Sequence, residues 1–118
     1  MKRPYAIDKD ITLKKAAELM KKHDINSIII VKKDKVVGII THEDLIENFS
    51  ESKKVFQVMS KEIISLNEDD KVDYAMGLMK KNNISVLPVL DDEEHLVGVI
   101  HIKDLIKQFS DAEDFLIN

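Results

Sequence analysis

Apolar residues recur along this chain in two rhythms that alternate. Leu13, Ala16, Ala17 and Met20 fall at i, i+3, i+4 and i+7, the stripe of one helix face, and Thr12 stands before them as an N-cap. A β-branched run from Ile28 to Val31 follows, then the polar tip Lys32-Lys33-Asp34-Lys35, then Val36 to Ile40. That order predicts a hairpin. Its runs are continuous rather than alternating, so both strands should be covered on both faces. A second helix is expected over about His42 to Phe49. The same order then returns: Val72, Ala75, Met76 and Met79 after Asp69 and Asp70, strands Val86 to Leu90 and Leu96 to Ile100 around the tip Asp91 to Glu94, and a helix over about Ile102 to Phe109.

The return is literal in places. Leu19-Met20-Lys21-Lys22 reappears as Leu78-Met79-Lys80-Lys81, with Ala16 matching Ala75 and Ile25 matching Ile84. Further on, Val37-Gly38-Ile39-Ile40 reappears as Val97-Gly98-Val99-Ile100, Asp44-Leu45-Ile46 as Asp104-Leu105-Ile106 and Phe49-Ser50 as Phe109-Ser110, one position later. The extra residue falls within Asp91-Asp92-Glu93-Glu94, a polar tip where an insertion is cheapest. The chain is therefore an internal duplication, and its fold class is α/β: two helix–strand–strand–helix repeats. Repeat one spans about 7–50, a linker about 51–65, repeat two about 66–110 and a C-terminal tail 111–118, all within a single module, 1–118. The linker carries the chain across, and Ile63-Ile64 is expected as a short extra strand. Half of such a chain cannot cover its own sheet, so the repeats are expected to pack with pseudo-two-fold symmetry.

Composition narrows the chemistry. The absence of cysteine removes disulfides, thiol catalysis and most structural zinc sites. With 18 Lys and Arg against 22 Asp and Glu the net charge is −4, which disfavours general nucleic-acid binding. Lys2 and Arg3 lead into no apolar stretch, so no secretory signal is expected. No apolar run approaches the ~20 residues that span a bilayer. A soluble, cytoplasmic protein is expected.

Gly38-Ile39-Ile40-Thr41-His42-Glu43-Asp44 joins the second strand to the second helix and is the most informative stretch. Free N–H groups at a helix start favour phosphate, Thr41 can donate to the same group, and Asp44 can accept from the vicinal hydroxyls of a ribose. Thr-x-x-Asp is equally close to a capping box, in which Thr41 caps the helix and Asp44 reaches back. Both readings stay open on the local pattern. Other clusters are blander. His23, His42, His95 and His101 lack metal-ligand spacing, most methionines sit on core stripes, and Lys53-Lys54 and Lys61 read as solvated charge within reach of a polyphosphate. No serine or acid sits in a nucleophile motif, so the chain is not expected to be an enzyme.

Two such repeats, each with Gly-h-x-[Thr/Ser]-x-x-Asp entering its last helix, resemble the tandem cystathionine-β-synthase-type (CBS) pair called a Bateman module. Ile84-Ser85-Val86-Leu87-Pro88-Val89-Leu90-Asp91 resembles the family's strand pattern, and Gln57-Val58-Met59-Ser60 its linker opening. The resemblance implies a regulatory module that binds AMP, ADP, ATP or S-adenosylmethionine in two clefts between the repeats. It implies no required cofactor, with Mg2+ accompanying a polyphosphate. In one cleft Thr41 and Asp44, in the motif that Gly38 opens, hold phosphate and ribose, while Met59, Ile64, Ile84 and Ser85 line the base. The other uses Asp104 and His101, with Tyr5, Ile25 and Asn26 near the base. His101 stands where Thr or Ser is the pattern, either pairing with phosphate when protonated or filling the space, and Ile29 stands where the other repeat has Pro88. Family modules form dimers through their helices, which makes Ile46, Phe49, Ile106 and Phe109 candidates for a homodimer interface. No effector domain is expected within the 118 residues, so the output would pass through association with a second copy or an effector protein. Two other readings compete: a structural dimerisation module with vestigial clefts, and a nucleic-acid-associated regulator using Lys14-Lys15, Lys21-Lys22 and Lys32-Lys33.

Overall fold

The computed structural model describes residues 3–105. Most of the helix expected to Phe109, the candidates Ile106 and Phe109, the end of repeat two and the tail 111–118 lie outside the described residues.

Pro4–Ile63 forms one compact unit, and Arg3 with the chain from Ile64 onward forms another. In the first, α1 (Leu13–His23) starts where the Thr12 hydroxyl accepts from the Lys15 N–H at 3.1 Å, satisfying one of the orphan donors of a helix start. It ends at Asp24, whose left-handed backbone sends its N–H back to the carbonyls of Lys21 and Met20. Lys21, Lys22 and His23 fill the last turn, the end that favours cations. The buried stripe is Leu13, Ala16 and Met20. Ala17, expected on that stripe, is exposed, and Leu19 leans into the core instead.

The first sheet has the order β1-β2-β3. β2 (Ser27–Lys32) is its centre, parallel to β1 (Ala6–Ile7) and antiparallel to β3 (Lys35–Thr41). Its residues Ser27 to Ile30 are all buried, as the continuous apolar run requires. Lys33 and Asp34 close the hairpin with φ of 50° and 65°, the two left-handed residues of a type I′ turn. Val37 bulges, since Gly38 pairs with Ile30 but Val36 with Val31. Leu13, Ala16, Met20, Ile28, Ile30 and Ile40 meet Leu45 of α2 (His42–Asn48) and Val55 of α3 (Val55–Val58) in one core.

The second unit repeats the plan. β4 (Leu66–Asn67), β5 (Val86–Leu90) and β6 (Leu96–His101) form a sheet in that order, backed by α4 (Val72–Asn82), which ends at a left-handed Asn83. Residues 102–105 are helical. Its core is Leu66, Ala75, Met79, Leu87, Val89 and Leu105, and Val72, expected on the stripe, is 42% exposed. Val97 bulges like Val37. Five residues separate the paired Leu90 and Leu96 where four separate Val31 and Val36, so the insertion sits in the tip. There the Asp91 carboxylate accepts from the backbone N–H of both Glu93 and His95.

One expected strand is displaced. Ile63-Ile64 is irregular, and the strand begins at Leu66. In repeat one the Ile29 N–H donates to the Tyr5 carbonyl. Pro88 occupies the corresponding place and has no N–H to offer, so pairing starts one position later.

Candidate functional site

In each repeat the joint between second strand and second helix is set by the backbone. Thr41 pairs with Ser27 at the end of β3, and the His42 N–H donates to the Asn26 carbonyl at 2.9 Å. His101 pairs with Val86 at the end of β6, and the Ile102 N–H donates to the Ser85 carbonyl at 2.8 Å. The turn is thus placed by duplicated hydrogen bonds, independent of which side chain stands there.

At the first joint the side chains form a capping box. The Thr41 N–H donates to Asp44 Oδ2 at 2.8 Å, the Thr41 hydroxyl donates to the same oxygen at 3.0 Å, and the Asp44 N–H donates to Thr41 Oγ1 at 3.3 Å. The capping reading therefore holds. All three contacts leave Asp44 Oδ1 untouched, and both residues are half-buried. An anionic oxygen held in a fixed direction beside a hydroxyl is suited to accept from a polyol.

Gly38 opens the motif and is buried. A Cβ there would run into the Met59 sulfur, with Met59 Cγ and Cε at 3.0 and 3.1 Å, so the thioether lies directly on the glycine. The approach is held from both sides. Ser60 exchanges two hydrogen bonds with Ile39, at 2.9 and 3.1 Å. On the other side Val55 is buried, its N–H donates to the Ile11 carbonyl, and the Phe56 N–H donates to Asp10 Oδ1 at 2.9 Å. Lys32 Nζ lies 4.8 Å from the centre of the Phe56 ring. Asp10 was not signalled by the sequence, because a contact across 46 positions carries no local pattern.

At the second joint His101 is 8% exposed, so the ring occupies protein interior. Asp104 is half-buried with Oδ2 withdrawn from solvent. The other expected residues divide between the units. In the first, Tyr5 is half-buried with its ring 4.4 Å from that of His23, Ile25 donates its N–H to the Met20 carbonyl, and Asn26 is exposed. In the second, Ile84 donates to the Met79 carbonyl, Ile64 and Ile84 pack on the core, and Ser85 is exposed. The acidity of Asp91 departs from the ordinary. The His95 N–H is the largest influence and, with the Glu93 N–H and the nearby His95 ring, holds its carboxyl below the usual aspartate range, although burial opposes them with the second-largest effect. It lies at the hairpin tip, away from either joint. No helix among the described residues is long and apolar enough to cross a membrane.

Two duplicated α/β units with matching strand-to-helix joints define a tandem α/β repeat, and comparison with known proteins supplies the family. The chain belongs to the CBS domain family, whose profile matches residues 1–51 and again 55–111. It is a CBS pair. It is 36% identical over 103 residues to inosine-5′-monophosphate dehydrogenase of Methanocaldococcus jannaschii, covering 86% of this chain and 21% of that protein. It is also 36% identical over 110 residues to L-aspartate semialdehyde sulfurtransferase of the same organism, covering 92% of this chain and 22% of that protein. The chain thus spans about a fifth of either enzyme. Among solved structures it is similar to the CBS domain pair of protein MJ0100 in complex with 5′-methylthioadenosine and S-adenosyl-L-methionine. There the TM-score is 0.87 at 34% identity, with 95% of this chain and 92% of that one covered.

Proposed function

We propose that this CBS pair is a regulatory module that binds an adenosine-containing ligand and signals through association. One observation carries the reading: the likeness, over nearly the whole length of both chains, to a CBS pair that holds two adenosine compounds. The capping box supports it. Asp44 serves the helix with Oδ2 and keeps Oδ1 for ribose hydroxyls, so the structural and the ligand role share one carboxylate. Of the residues the family resemblance assigns, Gly38, Thr41, Asp44, Met59, Ile64, Ile84 and Ser85 serve one ligand, and Tyr5, Ile25, Asn26, His101 and Asp104 the other. S-adenosylmethionine, methylthioadenosine and the adenine nucleotides are the candidates, with Mg2+ entering only alongside a polyphosphate. The module itself catalyses nothing, works in the cytoplasm, and acts on a second copy or an effector protein. Ile46 and Phe49, 67% and 68% exposed around α2, favour a homodimer. Ligand binding regulates only as far as it distinguishes two arrangements of the module.

His101 favours a second reading for its own joint. A buried imidazole in place of a hydroxyl suits a vestigial cleft, kept for structure alone.

A thermal-shift panel of AMP, ADP, ATP, S-adenosylmethionine and methylthioadenosine tests the proposal. A ligand at a hundred times its Kd adds about 2.7 kcal/mol, a rise of several degrees for a domain of this size. Asp44→Asn keeps a carbonyl for the Thr41 N–H but loses the carboxylate, so it should retain the fold and lose most of the shift. No shift with any of the five compounds would promote the purely structural module.

A further inference from the structure

The hairpin tips of the two repeats carry opposite charge, and so does the chain around each. β1 stops at Ile7 opposite Ile30, so Lys9 and the start of α1 lie at the same end of their unit as the tip Lys32-Lys33. The linker joins them there: the Leu13 N–H donates to the Lys53 carbonyl, and Thr12 pairs with Lys54. Lys9, Lys14, Lys32, Lys33, Lys53 and Lys54 are all exposed. Asp8, Asp10, Asp34 and Glu51 offset them only in part.

The same end of the second unit is built alike and charged oppositely. The Glu68 N–H donates to the Leu90 carbonyl at 2.8 Å, and the Asn67 side chain to Asp92 Oδ1 at 2.9 Å. Glu68 and the start of α4 therefore stand beside the tip Asp91-Asp92. Ile7 opposite Ile30 answers to Leu66 opposite Val89, and the helix ends Asp24 and Asn83 correspond as well. By that correspondence Lys9 is replaced by Glu68, Lys14 by Asp73, Lys32 by Asp91 and Lys33 by Asp92. The fold requires neither sign, since both ends use the same main-chain bonds. Each crowd of like charges costs its own unit stability through repulsion.

We propose that the basic tip end of repeat one docks on the acidic tip end of repeat two in a second copy of this chain. Unlike ends attract, whereas the same end on two copies repels, so charge selects the pairing. One exposed ion pair contributes little. The contact therefore depends on several pairs acting together, and on steering of the two copies as they approach. It is separate from the Ile46 and Phe49 face of α2 and needs no adenosine ligand.

Sedimentation of the full chain over a range of concentrations tests this, in a Phe49→Ser background that takes the apolar face of α2 out of the readout. Association is compared at about 0.01 M and about 1 M salt, between which the screening length falls from about 30 Å to about 3 Å. Copies should associate at low salt and do so about tenfold more weakly at high salt. One reversed chain carries Lys9→Glu, Lys14→Glu and Lys33→Glu; the other carries Glu68→Lys, Asp73→Lys and Asp92→Lys. Each alone should associate about tenfold more weakly at low salt, and an equimolar mixture of the two should regain the parent strength. If a reversed chain does not fold, Lys33→Gln and Asp92→Asn should each give a smaller loss of the same sign. A parent chain that stays single at low salt, an association indifferent to salt, or a mixture that restores nothing overturns the proposal. So does a salt effect that is independent of concentration, which would place the contact within one chain. Thermal shifts with adenosine compounds should be the same in the parent and reversed chains, so the ligand reading stands or falls separately.

Discussion

Thr41 and His101 stand at the same joint of two repeats that share a backbone. In both, the first helical N–H reaches back to a carbonyl at the start of the hairpin, Asn26 in one and Ser85 in the other. In both, a valine bulges near the start of the second strand. The side chains differ completely: a hydroxyl–carboxylate box in repeat one, a buried imidazole in repeat two. Duplicated main-chain bonds and apolar stripes carry the fold, which leaves the polar positions free to diverge. The same holds at Ile29 and Pro88, where the loss of one N–H moves the first pairing along by a residue without disturbing the sheet order.

The comparison can be broken most forcefully in the cores. Ile40 in β3 is fully buried, while its counterpart Ile100 in β6 is half-buried. Ile40→Ala should cost about 2–5 kcal/mol in urea unfolding, and Ile100→Ala roughly 1–2 kcal/mol, since less apolar surface is withdrawn from water there. Equal costs would mean that the repeats share the load evenly. A smaller difference lies at the first helices. Thr12 caps α1 through its hydroxyl, whereas Lys71, in the same place before α4, makes no side-chain cap. Thr12→Ala should lower stability by about 1 kcal/mol, and Lys71→Ser should raise it by a similar amount. A neutral Lys71→Ser would show that a hydroxyl at that position does not reach the first N–H groups of α4.

The smallest effect distinguishes the hairpin tips. Asp91 is held below the ordinary aspartate range by two backbone N–H groups and the His95 ring. A depressed carboxyl contributes stability that is fully present above its unfolded value, about 3.9, and is lost as pH falls through the lowered folded value. Below about pH 4 the Glu93 and His95 amide resonances should therefore titrate with Asp91, and Asp91→Ala should flatten both curves. The two-residue turn at Lys33-Asp34 has no such clamp.

Much of this architecture was legible in the residues. Continuous β-branched runs marked the hairpins because buried strands need no alternation, and the one-residue slip between repeats fell in the tip where the extra residue sits. The capping box was legible as Thr-x-x-Asp, although the pattern alone could not separate cap from ligand site; in the fold one Asp44 oxygen takes up the cap, and among the described residues the other makes no hydrogen bond. Two-residue strands such as β1 and β4 escape periodicity altogether. So does the single turn of α3, which exists because Asp10 and Ile11, far away in sequence, meet its first N–H groups. The strand expected at Ile63-Ile64 is displaced for a different reason: Pro88 has no N–H to begin the pairing, and a missing donor leaves no mark on hydrophobic periodicity.

The pairing of Ser60 with Ile39 has one more consequence. β3 lies at the rim of its sheet, and a bare rim is a template on which a foreign strand can grow. Ser60 occupies both main-chain groups of Ile39, and the opposite rim is only the two residues of β1. One position of the β3 rim is covered and the opposite rim is short, two features that blunt an edge against templated growth.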